Sequence, residues 1–425
     1  MSTQPGVTTG ESMAQDRTAV ATELSIGAKV GGATTVVTLV SLAHAMSHAY
    51  GALLPLIIPS LQTELNLTYA QIGLMFSISS LVWGPLQLGF GVLGRYTSRK
   101  FLLGLGHIFQ GLAVCGTGTV QGFGDLLAWR VASRIADAPQ HPIGNALISQ
   151  SFRPERRGTA LAINSAGSNL GTVAVPLIGG LLIATLGWRS TLVVFGLLGA
   201  MIGALLIAFL HEKERRQSTG KAAVPIRGEI WAFLKHRDAL LLMASHVIGA
   251  GGRGLSVATI YVPLYLAQKL QVDEVRLGVL LTIMMVGSVI GPLVAGMLSD
   301  RVGRKPVLLV DYVIACVCFV GLLTIEPGAW TLPAWLLLTG IAVYSEGAVM
   351  QTALADIADR TSIEMLFGLY FTIGAIISAP WAWLLGMIVD NHGFPGAFAA
   401  MAGSQVLAGL CVLPVRLQRT WRTAH

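Results

Sequence analysis

Charge is what this chain has least of. Of its 425 residues only 12% are Asp, Glu, Lys or Arg, while 53% are hydrophobic; soluble domains carry roughly 25% charged residues. Mean hydropathy is +0.68. So little charge cannot cover a water-facing surface, and the chain belongs in a bilayer. Cysteine is scarce too: Cys115, Cys316, Cys318 and Cys411 all fall in apolar segments. Cys316 and Cys318 are two apart, on different helix faces, so neither a disulfide framework nor a metal site follows, and no cofactor is expected. There is no Walker-type loop, which excludes ATP drive. A nucleophile with a partner, paired metal ligands and an appended soluble domain are also missing, leaving an intramembrane enzyme or receptor as a remote alternative. Short alternating strands of the barrel kind do not occur.

What is present is a series of about twelve apolar stretches, each of the roughly 20 residues that cross the hydrocarbon as a helix. They fall near 34–61, 69–93, 100–121, 124–150, 158–185, 190–210, 239–267, 276–298, 305–325, 331–355, 364–389 and 395–416. The expectation is an all-α integral membrane protein with twelve transmembrane helices. The net charge of +7 reports topology and not nucleic-acid binding. Even-numbered connections carry Arg95, Arg99, Lys100, Arg153, Arg156, Arg157, Arg301, Arg304, Lys305 and Arg360 and the basic residues of 211–238, whereas odd-numbered ones carry only Arg189, Lys269 and Arg276. That bias places both termini in the cytoplasm. Residues 1–33 are polar, lack a cleavable signal pattern and read as a disordered cytoplasmic tail. Two bundles, 34–210 and 239–416, flank a charged cytoplasmic loop at 211–238, and 417–425 form a second tail. The end of that loop, 226–240, reads equally as a short surface helix or a solvated linker.

The two halves repeat. Gly296-Met-Leu-Ser-Asp300-Arg301-Val-Gly303-Arg304-Lys305 returns in altered form as Gly91-Val-Leu-Gly-Arg95-Tyr-Thr-Ser98-Arg99-Lys100, and an offset of 205 positions also aligns Gly278 with Gly73. The loop string, its weaker copy and twelve segments around a charged centre resemble the major facilitator superfamily of secondary transporters. Arg130 within LLAWRVASR, the RPERRG turn at 153–158 and the glycine run ending in Gly187-Trp188-Arg189 support the likeness. A narrower resemblance, to the fosmidomycin-resistance-like branch, rests on His44 and His48, His141-Pro142 and TYAQIG at 68–73. The superfamily resemblance implies two pseudo-symmetric six-helix bundles that rock about a central site. It also implies a conformational latch at Gly296, Asp300, Arg301, Gly303, Arg304 and Lys305, with Gly91, Arg95, Arg99 and Lys100 as the other copy. Arg95 and Ser98 stand where the superfamily usually has Asp and Gly, so the latch is expected to be one-sided. Val175 precedes Pro176 where superfamily antiporters usually have Gly, which weakens a drug-proton exchange reading.

Ionisable residues mid-helix cost roughly 2.5–3.5 kcal/mol each on insertion and usually face a bundle interior or a wet cavity. Arg130, Arg134, Asp137, His141 and Asn145 form one stripe of a 3.6-residue helix, with Gln140 beside it. Either they bind substrate, or Arg134 neutralises Asp137 while Arg130 bonds neighbouring carbonyls. In the seventh segment Gly249-Ala-Gly251-Gly252-Arg253-Gly254 predicts a broken helix, and unwound backbone at that depth lines a cavity. The alternative is close helix packing with Arg253 snorkelling outward. Its first-half counterpart is His48-Ala-Tyr50-Gly51, followed by Pro55 and Pro59. One Arg from each half can clamp an anion bidentately. The candidate substrate site is therefore Arg134 and Arg253, with Arg130, His48, Tyr50, His141, Gln140 and Asn145. His44, His48, Asp137 and Glu346 are the candidates for proton coupling, Glu346 being either a carrier or the partner of Arg253. Asp311, His107 and His246 read as structural.

These observations predict secondary active transport of a small organic anion, a carboxylate, sulfonate or phosphonate, coupled to protons, by a monomer in the cell inner membrane. The partners expected are the anion, protons and the lipid bilayer. Proton-driven efflux of an antibiotic or other xenobiotic is the alternative.

Overall fold

The structure, a computed structural model, describes residues 9–94, 96–210, 233–253, 257–326, 329–357 and 363–417, with side chains described from residue 32 onward except at 154, 155 and 363–368. All regular structure among the described residues is helical. In the first half lie α1 (Thr9–Leu65), α2 (Tyr69–Leu93), α3 (Arg99–Thr117), α4 (Phe123–Asp137), α5 (Gln140–Ser151) and α6 (Pro154–Phe209). The second half has α7 (Arg237–Gly249), α8 (Thr259–Leu264), α9 (Glu274–Val302), α10 (Arg304–Leu322), α11 (Leu332–Asp356), α12 (Ile363–Ser378) and α13 (Pro380–Val412). Among the described residues, seven helices are long and apolar enough to cross a membrane.

Two of these contain an internal break. The 56 residues of α6 would reach about 84 Å at 1.5 Å per residue, against roughly 30 Å of hydrocarbon. The chain breaks at Gly187, whose φ of 77° and ψ of 160° are open to glycine and strained for any L side chain. Gly393 does the same in α13, with φ 68°. Each break separates two apolar arms.

Helix α1 extends back to Thr9; the stretch from Thr9 to Ala52 holds no proline, so no missing N–H interrupts it. One expectation needs correction. The fourth segment is not one continuous helix but α4 and α5, stepped at Ala138 and Pro139; Pro139 has no N–H to continue the ladder. The seventh segment breaks where its glycines predict: α7 ends at Gly249, Ala250–Gly252 make one tight turn, and Arg253 is extended at φ −79°, ψ 144°.

Within the first half, α6 packs along α1 and α3, and α3 packs on α4; in the second, α9 packs on α11, and α13 on α7 and α10. The halves meet where α2 lies against α13 and α6 against α9. Glycine allows that approach: a Cβ on Gly73 would sit 2.1 Å from the Ala382 carbonyl oxygen, and one on Gly278 would sit 2.4 Å from that of Pro176. Small residues at crossings are how helices approach closely in lipid. One apolar core runs from the first half across this seam through Tyr261, Leu277, Leu281, Leu385 and Phe398. A second, separate core of Leu242, Leu308, Met350, Leu354 and Val412 belongs to the second half alone, at the end carrying its 300–305 loop. Leu170, Leu197, Leu293 and Val313 stand outward with more than half their surface exposed, as side chains facing lipid do.

The seam also has polar contacts, at the end opposite the basic loops. Asp390 accepts from the backbone N–H of Tyr69 at 2.9 Å and of Ala70 at 2.8 Å, capping the first turn of α2 from the other half. Gln268 bonds both Gln62 and the Tyr69 hydroxyl.

Candidate functional site

Helices α1, α4, α5 and α6 bring the first-half candidates together. Arg134 donates to Asp137 at 2.7 Å, an i,i+3 pair in which the acid is 2% exposed. Ser47 of α1 also donates to Asp137, and Gln110 of α3 donates at 3.1 Å, so the carboxylate is fully engaged. The Arg134 guanidinium lies 4.1 Å from the Trp83 ring centroid. Arg130 packs over Phe76 at 5.4 Å but its buried Nε has no hydrogen-bond partner. It borders a void of about 20 Å³ with Tyr50, Leu53, Met75, Val114 and Leu126, room for about one water.

Three histidines form a second group beside this one. His44 and His48 lie one turn apart on α1, their rings meeting edge to face with centroids 4.8 Å apart. His141 of α5 lies 5.0 Å from His44 and 6.3 Å from His48, and Trp83 closes on His141 at 5.7 Å. His44 Nδ1 donates to the Asn164 carbonyl at 3.2 Å. His48 Nδ1 lies 3.2 Å from the Thr172 hydroxyl, which spends its own proton on the Ser168 carbonyl; His48 is therefore the donor. Among the other expected site residues, Tyr50 donates to the Phe195 carbonyl at 3.1 Å, Gln140 bonds His107 at 2.8 Å, and Asn145 accepts from Asn164 at 3.3 Å.

The second half holds a compact counterpart. Arg253 Nε lies 2.9 Å from Glu346 Oε2, a charge contact whose angle is not that of a hydrogen bond. Its guanidinium also donates to the His246 carbonyl and approaches His246 Nε2 at 3.4 Å. His246 Nδ1 lies 3.2 Å from the other Glu346 oxygen, and its ring packs on Tyr370 at 4.0 Å. Of the two readings the sequence left open for Glu346, partnership with Arg253 is the geometry seen. Asp311 is buried, 9% exposed.

Of the latch residues, Arg304 holds Asp300, Ser299 at 2.8 Å and Asp356 at 3.1 Å. Lys305 donates to the carbonyls of Leu413 and Val415. All these partners belong to the second half. Gly303 takes φ 99° to turn α9 into α10. Arg99 donates to the Gly94 carbonyl at 3.2 Å; Arg95 lies outside the described residues, as do residues 211–232 of the central loop and 418–425 of the tail. Sequence reasoning missed His246, Trp83, Ser47, Asn164 and Asp390. His246 had a signal, seven residues or two turns before Arg253; the others come from different helices and had none.

Two bundles with paired glycine crossings and a charged centre in each define a class, and comparison with known proteins agrees. The Major Facilitator Superfamily model matches residues 39–256 and again 243–424. The chain belongs to that family and is a multi-pass membrane transport protein, not an enzyme. It is similar to the hexuronate transporter of Bacillus subtilis (strain 168), 25% identical over 401 residues, 89% of this chain and 93% of that one. The probable L-galactonate transporter of Escherichia coli (strain K12) is 24% identical over 355 residues, 79% and 78% of the two chains. The fold matches a bacterial homologue of the human lysosomal transporter Spinster in its inward-facing, unoccupied conformation. That match has a TM-score of 0.72 at 17% identity and covers 90% of this chain and 95% of the other.

Proposed function

We propose that this protein carries a six-carbon sugar acid or a close hydroxycarboxylate across the cell inner membrane, coupled to protons, by rocking two six-helix bundles. The observation that carries this reading is a matched pair of charge centres, Arg134 with Asp137 in one half and Arg253 with Glu346 in the other. A buried ion pair balances a desolvation cost against attraction, so an incoming carboxylate can replace the protein's own acid once that acid takes a proton. Proton and substrate then enter as one electrically matched event. Relatives named for hexuronate and L-galactonate transport support the anion class. Splitting α6 at Gly187 and α13 at Gly393, and joining α4 to α5, α7 to α8 and α12 to the first arm of α13, gives twelve crossings. With the basic loops inside, both termini are cytoplasmic. The seam contacts described at the opposite end then make this an inward-open form.

The test is uptake into proteoliposomes under an imposed pH gradient, using labelled D-glucuronate, D-galacturonate and L-galactonate with D-glucose as neutral control. Acid uptake that collapses with the gradient is expected, and Arg134→Lys and Arg253→Lys should each abolish most of it, because Lys lacks the planar fork. Uptake of glucose alone, or full transport by both variants, would overturn the reading.

A further inference from the structure

The three histidines around α1 and α5 are more than the pair of proton carriers the sequence suggests. His44 and His48 are four residues apart, the spacing that presents two imidazoles on one helix face to a single ion. His141 arrives from α5, and one ligand atom from each of the three lies within 4.8 Å of the others. The hydrogen bonds fix which nitrogens are free. His44 and His48 donate through Nδ1, to the Asn164 carbonyl and the Thr172 hydroxyl, leaving both Nε2 lone pairs unused. A second-shell acceptor on the far nitrogen is the usual companion of a metal-ligating histidine, since it sets tautomer and ring orientation. His44 is 6% exposed and its Nε2 is buried without a partner, an arrangement costly for a group serving packing alone. Against the expectation of no metal, we propose that His44, His48 and His141 form a three-nitrogen site for a divalent transition ion of the Zn²⁺ class.

Around a tetrahedral ion at about 2.0–2.1 Å, ligand nitrogens stand about 3.4 Å apart. The widest gap here must close by about 1.4 Å, within reach of rotation about χ1 and χ2. Three neutral imidazoles suit Zn²⁺, Co²⁺, Ni²⁺ or Cu²⁺ and suit Mg²⁺ or Ca²⁺ poorly. The nearest ion pair, Arg134 with Asp137, is internally neutral. His48 and His141 are only half-buried, so the fourth position faces the space between helices and is open to water or a carboxylate oxygen. The site stands whether or not the transported solute is a sugar acid.

Tag-free full-length protein in detergent, titrated calorimetrically with Zn²⁺, should bind one equivalent, and Co²⁺ in its place should give the visible bands of a tetrahedral centre. His44→Gln, His48→Gln and His141→Gln should each weaken binding at least about tenfold. His392→Gln, on the exposed surface of α13, should leave it unchanged. Should a variant fail to fold, the wild type still decides: Zn²⁺ should protect the half-buried His48 and His141, and not His392, from carbethoxylation read by peptide mass spectrometry. Absence of stoichiometric binding, equal weakening by His392→Gln, or no selective protection would each overturn the site.

Discussion

Glu346 and Arg253 allow the charge-centre reading to be tested quantitatively. Their side chains are 6% and 16% exposed, so removing either strands a largely desolvated charge, which costs about 3–5 kcal/mol. Glu346→Leu should fall at the lower end, about 3 kcal/mol, because the His246 carbonyl still accepts from Arg253. Arg253→Met should cost as much, leaving Glu346 only the His246 Nδ1 proton. Replacing both partners with apolar side chains removes the stranded charge, and such exchanges of buried pairs are often neutral or stabilising. The double variant should therefore be more stable than either single one, with a coupling of at least about 2 kcal/mol, or about thirtyfold in the unfolding constant. Equilibrium unfolding of the four purified proteins in detergent supplies the cycle. Sugar-acid uptake by the double variant should still be lost. Additive single effects would refute the buried pair, and a stable double variant that transports normally would refute Arg253 as an anchor.

Arg130→Met should keep or raise the melting temperature, since it removes a buried Nε without a partner while keeping contact with Phe76; a drop of many degrees would show that Arg130 holds the bundle together. Asp390→Ala deletes two N–H acceptors at the start of α2, worth about 1 kcal/mol. It should move the balance of open and closed seam about fivefold, read by spin-label distances between α2 and α13; an unchanged distribution would contradict this. Gly73→Val places a Cβ 2.1 Å from the Ala382 carbonyl oxygen and should widen the same distance, with the fold of each half intact by circular dichroism; an unchanged distance would mean that the seam yields elsewhere.

Much of the fold is legible in the sequence because the bilayer reduces the choice to apolar runs and the turns between them. Gly187 and Gly393 lie in the gaps read between apolar stretches, 186–189 and 390–394, and the chain does break there. The broken seventh segment was readable, since four glycines around one Arg leave no helix to propagate. The charge centres were half readable. Arg134 and Asp137 sit on one helix at a spacing that dictates contact, whereas Arg253 meets Glu346 only because α7 and α11 are packed together. Trp83, Asn164 and Asp390 were invisible for the same reason: each acts on a residue more than fifteen positions away.

That difference in reach also bears on how the proposed proton coupling and rocking would work. The Arg134 and Asp137 pair lies within α4, and the Arg253, Glu346 and His246 cluster lies wholly within the second half. A rigid rocking of one half against the other therefore breaks neither. What rocking does break is the set of contacts that cross the seam: Asp390 on the first turn of α2, Gln268 with Gln62 and Tyr69, and the Ser77 hydroxyl on the Ala379 carbonyl at 2.6 Å. None of these carries a buried charge pair, so protonation at Asp137 or Glu346 has no direct lever on the seam. On the proposed function, the link would then be a solute that touches Arg134 and Arg253 together: bound to one half alone it would only replace an acid, and bound to both it would tie the halves to each other.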